Sequence, residues 1–243
     1  MSPAQILGVL VVVAVAAAVQ RVSGFGFGLI VVPVMSLFIT PRDAVIIATL
    51  LAVGTTSFQA WSERGHADVG VANRLFIGAC LGMPFGLAVF VLVSDSVLRA
   101  TVGVVVILAA FLLGRGLALP HASRRHEFLL GAVSGVLNTS VSTNGPPLVF
   151  LLQARGYEPA RFRGTISRTF AYSNVVSLAL FGASGKVQAG PAVAAAVSVP
   201  VVVLAQYAGS RLARHVDADR FRVLVLVLLY LSGVAAILAA ATQ

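Results

Sequence analysis

The chain has 243 residues, 58% of them hydrophobic and only 10% charged, with a mean hydropathy of +0.98. No soluble domain has that balance, so the sequence predicts an all-α polytopic membrane protein. The formal charge of +9 does not imply a nucleic-acid partner, because the basic residues are spread through loops between apolar stretches, as the positive-inside bias places them.

The first element is a broken apolar segment from Ile6 to Ile39, interrupted by Ser23-Gly24-Phe25-Gly26-Phe27-Gly28. Unbroken, it would be roughly 51 Å long against a bilayer core of about 30 Å. Split at the break, each arm is expected to fall short of a comfortable span. Three candidate spans follow at 43–61, 70–93 and 96–117. Thr40-Pro41-Arg42-Asp43 reads as a helix cap with a proline and an acid in the first turn. A polar stretch from Pro120 to Glu127 then divides the chain. A second broken segment runs from Phe128 to Gln153, interrupted by Ser142-Thr143-Asn144-Gly145-Pro146-Pro147. Candidate spans at 160–182, 190–213 and 220–240 complete the sequence.

The two parts, 1–117 and 125–243, read as internal repeats within a single membrane domain. Pro41 and Pro159 open the helices after the two breaks at an offset of 118. Lys and Arg counts give the topology. If each broken segment enters and leaves on one side as a re-entrant hairpin, one side holds 12 basic residues, among them Arg64, Arg124, Arg155 and Arg214. The other holds three, Arg42, Arg99 and Lys186. A single crossing per segment gives only 9 to 6. The 12-to-3 split is expected, with both termini outside the cytoplasm; two full crossings per segment would give the same split. Three crossings per half make the repeats inverted, so the hairpin tips can meet near the midplane.

Irregular backbone at membrane depth needs protein or a watery cavity to satisfy it, so paired breaks point to a binding site. Helix starts near Gly28 and Pro146 would present free N–H groups to an anion. Gly24, Gly26 and Gly28 would let backbone approach it, and Asn138, Thr139, Ser140, Ser142, Thr143 and Asn144 would add polar groups. A GxxxG packing contact is the other reading of Gly24 and Gly28. Arg21 and Arg168 lie within the membrane reading and suit oxyanions; snorkelling or helix capping is the alternative. Tyr172 and Thr165 share the Arg168 face by spacing. Gly78, Gly82 and Gly86 read as close helix packing, Arg99 and Arg222 as interfacial anchors, and the four histidines as loop residues. Cys80 lies in an apolar span, without a disulfide framework. No basic region precedes the first apolar stretch, so no cleaved signal peptide is expected.

At the Ser23–Gly28 motif with Val31-Val32-Pro33, and at Asn144-Gly145-Pro146-Pro147, the sequence resembles the TauE/SafE family of sulfite and organosulfonate exporters. The resemblance covers the whole chain. It implies permeation of small anions, usually sulfur oxyanions or sulfonates, across a prokaryotic plasma membrane. The second break departs from the glycine run expected of a symmetric site. Candidate substrate-binding residues are Arg21, Ser23, Gly24, Phe25, Gly26, Phe27, Gly28, Asn138, Thr139, Ser142, Thr143, Asn144, Gly145, Pro146, Arg168 and Tyr172. All eight acids fall at loops or helix ends, so no buried carboxylate is expected. No catalytic, metal or cofactor motif appears, and an enzyme is not expected. Expected partners are the anion and the lipid bilayer, with a homodimer left open. A scaffold subunit without its own substrate, a transporter of another ion class, and coupling to sodium also stay open.

Overall fold

Helices that are apolar on most faces satisfy their own backbone, and the chain builds almost entirely from them. The computed structural model describes residues 1–115, 123–212 and 218–241; Pro120, His121, Arg214, His215 and Asp217 lie outside these, as does the Arg222 side chain. The described residues form α1 (Pro3–Ser23), α2 (Phe27–Met35), α3 (Pro41–Ser62), α4 (Val69–Leu92), α5 (Asp95–Arg115), α6 (Arg124–Val141), α7 (Gly145–Ala154), α8 (Pro159–Ala183), α9 (Ala189–Leu212) and α10 (Ala218–Ala241). Five of them, α1, α3, α4, α5 and α9, are long and apolar enough to cross a membrane. The chain is a polytopic α-helical membrane protein.

The predicted caps are present. The Thr40 hydroxyl accepts the Asp43 N–H at 3.1 Å, with Pro41 opening α3, and Pro159 opens α8. One expectation fails. At 21 residues α1 rises roughly 31 Å, enough to span, so only the returning arm of the first segment is short. The helix opens at Pro3 under the Ser2 cap, three residues before the apolar run, and ends at Ser23 and Gly24, where the break was expected. α2 has nine residues and α7 ten.

Each broken segment returns to the end of the bundle where it began. The Gln5 amide donates to Phe38 O at 2.9 Å, joining the start of α1 to the turn after α2. Arg155, just past α7, pairs with Glu127 at the start of α6. The two chain ends also share one end of the bundle. Beside Gln5–Phe38, the Arg42–Asp95 ion pair ties α3 to α5, and Ser96 Oγ donates to Ala240 O at 3.0 Å. The main seams are α4–α6, α1–α9, α3–α8 and α5–α10. Exchanging α1–α5 with α6–α10 maps this set onto itself.

The seams differ in how tightly they close. Between α4 and α6, Gly78, Gly82 and Gly86 lie against the backbone at Phe128, Ala132 and Val136. Gly131 and Gly135 answer them against Leu75 and Ala79. These glycines are packing residues, as the sequence reading holds. Glu127 locks one end of the same seam by pairing with Arg74 of α4 and with Arg155. Glu127 is fully buried, which corrects the expectation that no carboxylate is; the two guanidinium groups repay its desolvation. The α1–α9 seam has Gly209 against Ala18 O at 3.0 Å and no comparable row. Arg99, expected as an interfacial anchor, is only 5% exposed.

A Cβ at Gly82 would fall well inside contact distance of Ala132 O, whereas one at Gly54 meets nothing within 4 Å. Gly82→Ala should therefore lower the melting temperature in detergent by roughly 5–10 °C through overpacking. Gly54→Ala should leave it within about 2 °C, and thermal unfolding of the two variants measures the contrast.

Candidate functional site

Each break is a short run of backbone that its own neighbours hold. Ser23 Oγ donates to Val19 O at 2.9 Å and to Phe25 O at 2.6 Å, and the Gly24 N–H returns to Gln20 O at 2.7 Å. Gly24 and Gly26 take φ of +86° and +99°, a left-handed backbone that glycine adopts without a steric cost. In the second break Ser142 takes φ of +51°, and its N–H returns to Asn138 O at 3.0 Å. Ser134 Oγ donates to Asn144 O at 2.7 Å. Gly24 and Ser142, the left-handed residues that end α1 and α6, are 118 positions apart, the offset of Pro41 and Pro159.

The two breaks touch. Gly28 lies directly against Ser142 O, so close that a Cβ would overlap it. Ser142 Oγ also pairs with Thr49 Oγ1 of α3 at 3.1 Å. The contact across breaks explains Gly28: it stands in α2 while Gly24 ends α1, so the two do not form a GxxxG line on one helix. Gly26 is different, since its missing side chain would meet only Val19 at 4.0 Å. Its glycine is required by φ, not by space.

A cavity of about 20 Å³ lies between the breaks, lined by Gly26, Phe27, Gly28, Ser142, Thr143, Asn144 and Gly145. That is room for about one water. Gln20, Leu29, Ala52, Thr56, Phe170 and Asn174 complete the lining, and the sequence reading missed them. The signal for Gln20, Thr56 and Asn174 was a polar residue within an apolar span, and Thr56 and Asn174 are also 118 positions apart. The Asn174 amide donates to Thr56 Oγ1 at 3.4 Å, joining α8 to α3 across the cavity.

The cavity is rich in donors and holds no carboxylate. No side chain caps α2, so the Phe27, Gly28 and Leu29 N–H groups stand free at a positive helix end. α7 offers less, because Pro146 and Pro147 have no N–H and leave Gly145 alone in the first turn. Asn144 Nδ2 is buried without a hydrogen-bond partner among the described residues. The same holds for both amide atoms of Asn138, one turn before Ser142, and of Gln59, and for Ser167, Ser173 and Ser177 of α8. Buried polar atoms left this way are costly in an apolar interior, and they concentrate on the helices around the breaks.

The other candidates lie elsewhere. Ser23, Gly24 and Phe25 support the first break from behind, and the Phe25 ring covers Gly145. Thr139 donates to Met83 O at 2.7 Å in the α4–α6 seam. Arg168 stacks over Tyr172 at 5.3 Å, and Tyr172 meets Phe76 of α4, on the side of α8 turned from Phe170 and Asn174. Thr165 is fully buried and accepts the Asp68 N–H at 2.9 Å instead of sharing that stack. Arg21 lines a separate groove beside α9. At the basic end of the bundle, Asp68 accepts from Tyr157 and Arg161, and Glu63 pairs with Arg163. Burial pushes the Asp68 carboxyl up, but the hydrogen bonds from Tyr157, the Val71 N–H and Arg161 outweigh it and hold the pKa at about 2. No group of three His, Cys, Asp or Glu among the described residues could hold a metal.

Gly28→Ala should force the breaks apart, because the obstacle is Ser142 backbone. We expect it to lower the melting temperature by roughly 5–10 °C. Gly26→Ala carries only the cost of a left-handed alanine, of order 1–2 kcal/mol and thus roughly 2–8 °C. Equal losses in detergent melting curves would contradict this division.

The family described as sulfite exporter TauE/SafE matches residues 9–236. A protein of Cupriavidus necator named "Probable sulfite/organosulfonate exporter TauE" is 28% identical over 202 residues, 79% of this chain and 78% of its own. A protein of Comamonas testosteroni named "Probable inner membrane transporter protein TsaS" is 34% identical over 100 residues, 41% of this chain and 42% of its own. No solved structure matches the chain. With the family model matching residues 9–236 of a helical bundle, the chain belongs to the TauE/SafE family of membrane transporters.

Proposed function

We propose that this transporter exports a small anion, sulfite or an organosulfonate, across the inner membrane of a prokaryote, and binds it where the two breaks meet. The observation that carries the reading is the uncapped start of α2 facing the free amide of Asn144 in a cavity without a carboxylate. Helix N-termini and unpaired amide donors stabilise negative charge and offer a cation nothing comparable. The names of the two relatives support the substrate class and the membrane.

The halves α1–α5 and α6–α10 act as inverted repeats, each a re-entrant hairpin and three crossing helices. The exchangeable seams and the shared offset of 118 support this, and so do hairpin ends that lie side by side. The end carrying Arg64, Arg74, Arg155, Arg161 and Arg163 faces the cytoplasm by the positive-inside bias, which leaves both termini outside. An inside-negative potential then drives an anion outwards by about 2.3 kcal/mol per charge per 100 mV. At about 20 Å³ the cavity must widen to hold the anion.

Flux of sulfite and of a small sulfonate from proteoliposomes tests the site. Asn144→Ala should lower transport at least about tenfold, the loss of roughly 1.4 kcal/mol expected of one charge-assisted hydrogen bond. Arg168→Ala, which removes only the Tyr172 stack, should keep transport within about threefold per folded molecule. The opposite ranking would move the site to α8. Topology has its own measurement: on a Cys80→Ser background, the Arg124→Cys variant should resist a membrane-impermeant thiol reagent in intact cells. Labelling from outside would reverse the assigned orientation.

A further inference from the structure

Beside the break cavity runs a groove of about 430 Å³ between α1, α3 and α9. Its walls are mostly apolar, with Leu51, Phe58, Val199 and Val203 among them. Arg21 also lines it, and among the described residues its guanidinium makes no hydrogen bond or ion pair. It stands partly exposed in the last turn of α1, where the helix end favours a cation, and its charge is open to an anion in the groove.

The groove and the cavity share one wall. On α3, Leu51 and Thr55 face the groove, while Ala52 and Thr56 face the cavity. Between α1 and α9, Gln206 lines the groove and Gln20 lines the cavity; the Gln206 amide reaches Gln20 Oε1 at 3.5 Å. That bond is at the limit of hydrogen-bond length. Gln206 Oε1 is buried with no partner among the described residues, in a side chain 7% exposed. The polar contact across this wall is therefore one weak amide bond, in the seam that lacks the glycine row of α4–α6.

We propose that this groove is the path by which the anion reaches the break cavity, with Arg21 attracting it and the Gln20–Gln206 pair closing the way. The proposal rests on the anion reading of the break cavity. A second groove, of about 450 Å³, also borders the break at Gly26 and Leu29, but no charged side chain among the described residues lines it. Among the described residues, an anion leaving water meets a charged partner in the first groove alone.

Thiol modification tests the path without relying on transport. A cysteine placed at the cavity wall by Thr56→Cys, on the Cys80→Ser background, is exposed to an anionic and to a cationic methanethiosulfonate in proteoliposomes. Val203→Trp should fill the groove and slow modification at least about tenfold. Val203 is 60% exposed, so the larger ring should be tolerated; Val199→Trp, one turn away, repeats the block. Leu226→Trp in the second groove should leave the rate within about twofold. Gln206→Ala should raise it severalfold, and Arg21→Gln should slow the anionic reagent severalfold while sparing the cationic one. A rate insensitive to both groove tryptophans, or blocked by Leu226→Trp, would overturn the path. Loss of the Arg21 effect in vesicles of anionic lipid, with its return in neutral lipid, would assign Arg21 to a lipid phosphate and overturn its role. The tryptophan block would persist even in a chain that moves no anion, so the path and the substrate reading fail separately.

Discussion

Backbone that leaves a helix inside a membrane must find partners within the protein, and the rest of this fold depends on that constraint. Two helices are interrupted, and neither interruption can face lipid. Each is held locally, by Ser23 in one case and Ser134 in the other. Each is then covered by the other, with Gly28 seated on Ser142 O. That mutual cover fixes where α1, α2, α6 and α7 sit. It also places polar side chains of α3 and α8 beside the breaks: Thr49 pairs with the Ser142 hydroxyl, and Thr56 and Asn174 line the cavity between the breaks.

The same pairing of elements is realised with unequal strength in the two halves. α6 meets α4 through five interleaved glycines and the Glu127 ion pairs. Its counterpart, α1 against α9, has one glycine contact and two glutamines at the edge of bonding distance. Removing either arginine from Glu127 would leave a buried charge half-compensated, so that seam resists opening. Nothing of that kind holds α1 to α9. In the proposed reading, the motion that exposes the cavity parts α1 from α9 and leaves the α4–α6 seam closed.

Much of this was legible in the sequence, for a local reason. Hydropathy runs, Pro41 and Pro159 at helix starts and the glycines of the first break act within a few residues of chain, so helix order and bounds could be read directly. α1 was read too short because its first arm was begun at Ile6, where the apolar run starts, whereas the Ser2 cap and Pro3 open the helix three residues earlier. The side of α8 on which Arg168 lies was not legible, because it depends on Phe76 and Tyr172 from two helices. Glu127 illustrates the same limit. Its position at a helix start is local, but its burial is set by Arg74, 53 positions away. The cavity residues of α3 and α8 were visible as polar letters, though without the fold nothing tied them to the breaks.

The asymmetry of the breaks bears on how binding and opening are coupled in the proposed reading. Pro146 and Pro147 stiffen the start of α7 and strip it of donors, so the second hairpin contributes mainly the Asn144 amide. The free N–H groups belong to α2, which is tied to α1 through the Ser23 turn. The hairpin with the looser seam thus carries the stronger anion contacts, and the clamped hairpin carries the weaker ones. If α1 parts from α9, the α2 donors move with it, away from Asn144. An anion held by both hairpins favours the closed arrangement by the difference in its contacts between the two states, and that difference is all the force a ligand can apply. Placing most of the donors on the movable side makes the difference large, so the arrangement of prolines and glycines in the breaks would link occupancy of the site to closure of the groove.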